Sequence, residues 1–219
     1  MGPQGFNEGP RAVTLSPADS FSDMPQQFMH AAAPNLDIHL VEQDLNDSLV
    51  DLLIAGEIDV TFLEGPYNDS RLELIELGAD PFVVLLPRES DLTRLAKGKT
   101  FPTRLLAQAP MVGEHDCSTQ TRIDVGLRDA GTTPRYVFRA SDNGAIQGMV
   151  RAGLGPAVML LLAVDTNDPG IVVKTLDPPI EPRMILIALR KGATLLPAAE
   201  QFVRIAKHEC RKRLSQPAR

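Results

Sequence analysis

One stretch constrains the fold more than any other. Residues 136–162 read Tyr-Val-Phe-Arg-Ala-Ser-Asp-Asn-Gly-Ala-Ile-Gln-Gly-Met-Val-Arg-Ala-Gly-Leu-Gly-Pro-Ala-Val-Met-Leu-Leu-Leu. Residues 136–140 are a short β-type run. Ser141, Asp142 and Asn143 then supply helix-capping side chains. Ile146, Met149, Val150 and Leu154 recur at helical spacing, so one face of the next element is apolar. Gly153 stands where a helix stops in a left-handed cap. Residues 156–162 are almost wholly apolar, as in a strand covered on both faces. Strand, helix and strand in this order make a βαβ crossover. Such a unit brings polar groups to the carboxyl end of a strand and to a helix N-terminus, where α/β sheets bind small ligands. Polar residues at a helix start are most often plain caps. The arrangement gains weight because it recurs elsewhere in the chain.

Upstream, residues 12–15 read as a short strand and 16–22 as a polar loop. A helix follows over about 22–33, with Pro25 tolerated in its first turn and Met24, Phe28 and Ala31 or Ala32 inward. Residues 38–42 alternate as a second strand, and 44–47 form a polar turn. Leu49, Val50, Leu53 and Ile54 mark an amphipathic helix closed by Gly56, and 58–63 a third strand. This is β-α-β-α-β with connections short enough for a parallel sheet. Residues 72–78 and 81–87 add two strands. Residues 91–102 are charged and interrupted by Gly98, as in a surface loop.

A second α/β set begins with a strand at 111–113 and a polar turn at 114–118. Ser118 or Thr119 caps the next helix, with Ile123, Leu127 and Ala130 inward and Gly131 at its end. After the 136–162 unit come strands at 171–176 and 184–189, separated by a proline-rich bend at 177–182. The final helix, 197–213, turns Phe202, Ile205, Ala206 and Cys210 inward. Its basic end suits the negative pole of the helix dipole. The predicted fold class is α/β, with two Rossmann-like lobes and a hinge. The lobes are residues 11–85 plus 188–214, and residues 86–187, after a linker-like start at 1–10. Two crossings between lobes make a hinged cleft, the usual home of a small ligand.

Charge narrows the partners. The 219 residues carry a net charge of −6, which argues against this chain wrapping nucleic acid by itself, because phosphate binding needs a positive face. No apolar run approaches the roughly 20 residues that span a bilayer. The first ten residues have neither a charged nor an apolar signal region and do not read as a signal peptide. Cys117 and Cys210 are far apart, so free thiols in a reducing cytoplasm are expected. His30, His39, His115 and His208 are scattered, and no metal-ligand spacing occurs, so no metal or cofactor is expected. A nucleophile elbow, a P-loop and a GxGxxG motif are also missing, so the chain is not read as an enzyme.

Three stretches together resemble the effector-binding domain of LysR-type transcriptional regulators. One runs from Met24-Pro25-Gln-Gln-Phe28 to Ala33-Pro34-Asn35-Leu-Asp-Ile-His-Leu. Another is Leu49-Val-Asp-Leu-Leu-Ile-Ala-Gly56-Glu-Ile-Asp59-Val60. The last is Met149-Val-Arg-Ala-Gly153-Leu-Gly155-Pro-Ala-Val. Their order and spacing cover roughly residues 11–210. The resemblance implies a fold of the periplasmic-binding-protein type II. It also implies assembly into a homodimer or homotetramer, and DNA binding through an N-terminal winged helix-turn-helix that residues 1–219 do not contain. The chain is thus read as the regulatory part of a longer protein.

The resemblance further implies an effector held between the lobes by Ser16, Ala18, Asp19, Ser20, Asn46, Ser118, Thr119, Ser141, Asp142 and Asn143. Small organic acids are the family's usual effectors. Ala18 departs from the hydroxyl many members carry there, and the acidic Asp19 beside it opposes an anion. Cys117 falls near the reactive cysteine of the family's peroxide-sensing branch, and a helix N-terminus would favour its thiolate. A thiol-based redox sensor is therefore an alternative of lower weight, with Cys210 too distant in sequence to be an obvious partner. A solute-binding protein of a transporter, which shares the fold, is the other alternative.

Overall fold

The computed structural model describes residues 12–13, 41 and 45–214. The helix expected at 22–33 lies outside them, as does the strand expected at 38–42 apart from Val41. The chain divides into two compact units, Met1–Gly78 with Met184–Lys212, and Ala79–Arg183 with Arg213–Arg219. It passes from one to the other at Gly78–Ala79 and returns at Arg183–Met184.

Among the described residues the first unit holds four sheet strands in the order β1 (Ala12–Val13), β2 (Ile58–Gly65), β10 (Arg183–Arg190), β3 (Leu72–Asp80). β1 runs parallel to β2, and β10 runs antiparallel to it with Leu63 opposite Leu186. Helix α1 (Asn46–Ala55) buries Leu49, Val50 and Leu53 against Leu63, Leu72, Leu186 and Ala188. Each such side chain contributes about 1.5–3 kcal/mol of burial. The helix ends as its sequence requires. Gly56 takes φ 75°, and its N–H turns back to Leu53 O, a conformation that a Cβ would penalise. On β2 the neighbouring Phe62 points the other way and meets Phe202 edge-to-face at 5.8 Å. Phe202 belongs to the last helix, α5 (Pro197–Leu214). Strand periodicity thus gives the sheet two buried faces. On α5, Ala199, Phe202, Val203, Ala206 and Cys210 are buried, while Ile205, expected inward, is half-buried.

The second unit is built on a six-stranded sheet. Its order is β5 (Thr100–Pro102), β9 (Ile171–Asp177), β4 (Phe82–Pro87), β8 (Ala157–Leu160), β6 (Pro110–Glu114), β7 (Arg135–Ala140). The sheet is mixed. β4 is antiparallel to both β8 and β9, whereas β6 is parallel to β7 and β8. Alternate residues of β4 serve opposite faces. Phe82, Val84 and Leu86 pack with Ile123 and Leu127 of helix α3 (Ser118–Asp129). Val83 and Leu85 pack with Ile146 and Val150 of helix α4 (Asn143–Arg151).

Several expectations are corrected here. The lobe boundaries fall earlier than 85/86 and 187/188, because β4 pairs wholly within the six-stranded sheet and Arg183 anchors there. Residues 91–102 are not one loop. They form a short helix α2 (Asp91–Leu95), capped by Ser90, and the edge strand β5. Buried Lys174 fixes the link between them by donating to Ala96 O and Gly98 O. The strand expected at 156–162 stops at Leu160 and gives way to a single 3-10 turn, Leu161–Ala163. Leu154 lies beyond the end of the helix at Arg151 and is 41% exposed.

The inward place on α4 goes instead to Gln147, which bonds the backbone of Asp165 and the carboxylate of Asp168. Burial pulls the Asp168 carboxyl upward, but the Gly170 N–H, Gln147 and Arg151 outweigh it and hold the group below the usual carboxylate range.

A buried ion pair closes the second unit where its two connecting strands meet. Arg183 Nη2 donates to Asp80 Oδ2 at 3.0 Å, and Leu162 N donates to Asp80 Oδ1 at 3.1 Å. Both residues are at most 2% exposed. Burial raises the Asp80 carboxyl above its usual range, and Arg183 acts in the opposite direction.

Candidate functional site at the strand-order reversal

The connections of the second unit reverse direction at β6. From β6 the chain passes through α3 to β7 on one side. From β7 it returns through α4 to β8 on the other side of β6. The two helices therefore cover opposite faces of the sheet, as their buried contacts show. The carboxyl ends of β6 and β7 form a topological switch point, the place where open α/β sheets bind ligands. The two ends lie side by side, with Glu114 opposite Ala140 and His115 N donating to Ala140 O at 3.1 Å. Five of the expected residues thus share one edge: Ser118 and Thr119 at the start of α3, and Ser141, Asp142 and Asn143 at the start of α4.

Their roles differ from one another. Asp142 is the N-cap of α4, its Oδ1 accepting from Ala145 N at 2.6 Å. Asn143 occupies the first helical position, and its Oδ1 is buried without a hydrogen-bond partner among the described residues. Ser141 is exposed. On α3 neither Ser118 nor Thr119 is the cap, contrary to expectation. Cys117 holds that position, its Sγ accepting from Gln120 N at 3.4 Å. The hydroxyls of Ser118, which is exposed, and Thr119, which is half-exposed, are thereby left to other partners.

Asn46 lies in the first unit, and its amide is spent on the fold. It donates to Glu64 O at 2.9 Å and accepts from Glu64 N at 3.2 Å, tying the start of α1 to the end of β2. Ser16, Ala18, Asp19 and Ser20 lie outside the described residues.

Behind the switch point sits a network that sequence reading missed. Buried Gln120 accepts from Glu114 N at 2.7 Å and donates to Asp124 Oδ1 at 2.8 Å and Tyr136 Oη at 2.7 Å. Tyr136 donates to the same Asp124 oxygen at 2.6 Å. Burial, then the Asp124 carboxylate, push this phenol far above its usual range. Arg139 lies over the Tyr136 ring at 4.3 Å, donates to Glu114 O at 2.7 Å and reaches Asp116 Oδ1 at 3.2 Å. The Cys-x-x-Gln spacing is a variant of the capping box, a signal that could have located Gln120.

Cys117 corrects a second expectation. Its thiol is not lowered by the helix N-terminus but pushed up to about 11. Desolvation is the largest cause. The Gln120 N–H acts against it, and Glu114, which accepts the thiol proton at 3.2 Å, acts with it. At pH 8 about one thiol in a thousand is then ionised, so alkylation by iodoacetamide should be slow. Glu114→Gln removes the carboxylate and should speed alkylation several-fold at that pH; an unchanged rate would dissociate Glu114 from the thiol. Among the described residues no group of three or more His, Cys, Asp and Glu side chains is placed to hold a metal ion. No helix among them is long and apolar enough to cross a membrane.

Comparison with known proteins agrees with this architecture. The LysR substrate binding domain family matches residues 26–211. The uncharacterized HTH-type transcriptional regulator YcgK of Bacillus subtilis is 23% identical over 215 residues, covering 88% of this chain and 63% of that protein. The HTH-type transcriptional regulator CysB of Haemophilus influenzae is 27% identical over 165 residues, covering 74% of this chain and 50% of that protein. The chain thus spans about half to two-thirds of the length of these relatives.

Among solved structures, the reduced regulatory domain of Pseudomonas aeruginosa OxyR superposes with TM-score 0.69 at 21% identity, over 95% of this chain and 97% of that one. The Synechocystis CcmR regulatory domain, in complex with 2-PG, gives 0.69 at 15%, over 93% and 98%. These likenesses establish the fold, the two-lobed periplasmic-binding-protein type II architecture of LysR regulatory domains. A transporter's solute-binding protein is not favoured, since the matched relatives are named as transcriptional regulators, and they are not named as enzymes. The chain belongs to the LysR substrate-binding domain family, the regulatory domain of LysR-type transcriptional regulators.

Proposed function

We propose that this chain is the effector-sensing part of a DNA-binding transcription regulator, and that the β6–β7 switch point of the second unit takes part in holding a small molecule. The family match across residues 26–211 carries this reading, and the strand-order reversal supports the location. Asn143 fits the role, because its buried Oδ1 has no donor among the described residues. Effector binding then biases an equilibrium between conformations, and only through its differential affinity for them. Copies of the chain associate as a homodimer or homotetramer, and DNA is bound through a helix-turn-helix domain outside residues 1–219.

Thermal unfolding against a panel of small carboxylates, amines, amino acids, sugars and neutral aromatics tests the sensing role. A ligand at about 100 times its dissociation constant adds roughly 2.7 kcal/mol of stability. One chemical class should raise the midpoint, and above its dissociation constant the rise should follow the logarithm of ligand concentration. A flat response across every class would count against sensing by this chain. Light scattering on the same samples at high micromolar concentration should give at least the mass of a dimer, and a monomer there would remove the association.

A further inference from the structure

We propose that the exposed side of the last helix, α5, is a docking surface for the phosphate backbone of double-stranded DNA, a contact made in addition to that of the helix-turn-helix domain. The inference rests on the proposed place of this chain in a DNA-binding regulator, and not on the switch point. Charge is segregated along the chain. The net charge is −6, yet residues 204–219 hold six of the 22 Lys and Arg and one of the 28 Asp and Glu. α5 buries Phe202, Val203, Ala206 and Cys210 on one side. At 3.6 residues per turn, Arg204, Lys207 and Arg211 fall together on the other. Arg204 and Arg211 are exposed and Lys207 is half-buried. None of the three has an ion-pair partner among the described residues. The one carboxylate in this stretch, Glu209, is buried and is spent on Lys212 at 3.7 Å and His208 at 3.8 Å.

Two plainer readings of this stripe fall short. The helix dipole rewards cations only within the last turn, and Arg204 and Lys207 lie before it. A merely solvated helix face is laced with opposite charges three or four residues apart. Here Lys207 and Arg211 stand four apart with like charge, and Arg204 and Lys207 three apart, an arrangement that destabilises a helix. Glu200, one turn before Arg204, is the single counter-charge on that side. A phosphate backbone relieves this repulsion. The stripe rises about 10 Å along the helix, and a duplex carries one charge per roughly 1.7 Å of its axis, so each cation can meet a phosphate. Three contacts suffice on an acidic chain when the helix-turn-helix domain already holds it at high effective concentration beside the DNA.

Fluorescence anisotropy of a short, labelled, random-sequence duplex titrated with the chain at low and at rising salt tests this. Binding should be saturable at low salt, and log affinity should fall against log salt with the slope of three phosphates, about −2.7. The Arg204→Gln/Lys207→Gln/Arg211→Gln variant should bind at least tenfold more weakly. Its melting midpoint should equal or exceed the native one, because glutamine is a good helix former and the like charges are gone. Arg104→Gln/Arg128→Gln/Arg135→Gln removes as many exposed cations from the second unit and should change binding less than threefold. Absence of duplex binding at low salt overturns the inference. An equal loss in the two variants also overturns it, because net charge alone would then account for the binding. Unchanged duplex binding in the α5 variant, with its self-association lost by light scattering, overturns it as well and assigns the stripe to a second copy of the chain. The thermal panel decides the sensing role independently of all three outcomes.

Discussion

Arg183→Met should destabilise the second unit by about 3–5 kcal/mol, the usual cost of leaving one member of a buried ion pair without the other. Arg183 and Asp80 are both sealed from water, and the pair joins the last residue of β3 to the first of β10. Methionine matches the length of the arginine stem but offers nothing to the Asp80 carboxylate. The Asp80 pKa, already raised by burial, should then rise further, because Arg183 was the main influence holding it down. The pH dependence follows with a definite sign. A carboxyl with a raised folded-state pKa binds more protons folded than unfolded, so stability falls as pH rises through that window. The deficit of the variant should therefore be largest at neutral pH and should shrink on acidification, as Asp80 takes up a proton. Urea titrations at two pH values check this, and a deficit that grows on acidification would contradict it.

The second large effect is expected at Gly155. A Cβ built there would fall far inside van der Waals contact with the Pro110 carbonyl oxygen and only 2.9 Å from its carbonyl carbon. Both are backbone atoms of the β6 edge beside β8, where Val112 N donates to Pro156 O at 2.9 Å. No rotamer change can relieve a clash with backbone. Gly155→Ala should cost at least about 3 kcal/mol, at the upper end of overpacking penalties, or prevent folding. Gly153, two residues earlier, is the contrast. It adopts φ 84° but has nothing within 4 Å of a built Cβ. Gly153→Ala should cost only the left-handed backbone penalty of about 1–2 kcal/mol. Equal losses in the two variants would mean that the close strand approach is not what fixes Gly155. In a protein of this size about 1 kcal/mol moves the melting midpoint by roughly 2–4 °C, so the two outcomes are separable.

The contrast between these glycines marks how far the sequence could be read. Gly153 and Gly56 were legible because helix ends are local: a run of apolar residues at helical spacing stops and a glycine follows. The helices α1, α3 and α4 and the apolar strands β4 and β8 were legible for the same reason. Gly155 was not, because its requirement comes from Pro110, which only folding brings alongside. Asp80 and Arg183 are separated by 103 positions, and no local pattern pairs them. The charged stretch 91–102 concealed α2 and β5, because an edge strand of three residues is too short to show alternation.

At the site, position was read better than role. The starts of α3 and α4 were placed on strand–helix turns, and the structure sets them at one switch point. The cap of α3 was assigned to Ser118 or Thr119, since hydroxyls are the usual caps, while the structure uses a sulfur. Gln120 was overlooked because a polar residue was not expected to be buried. Its burial is explained by three hydrogen bonds that need Glu114, Asp124 and Tyr136 to converge.

The most direct measurement of the central claim is the affinity of the panel's best stabilising ligand for the native chain and for Ser118→Trp and Asn143→Trp. Both positions lie at the start of a helix rather than in its apolar face, so circular dichroism and the unliganded melting midpoint should stay near native. An indole at the switch point should exclude the ligand and weaken binding at least tenfold in both variants. Native affinity in both folded variants would contradict the assignment of this edge to the effector.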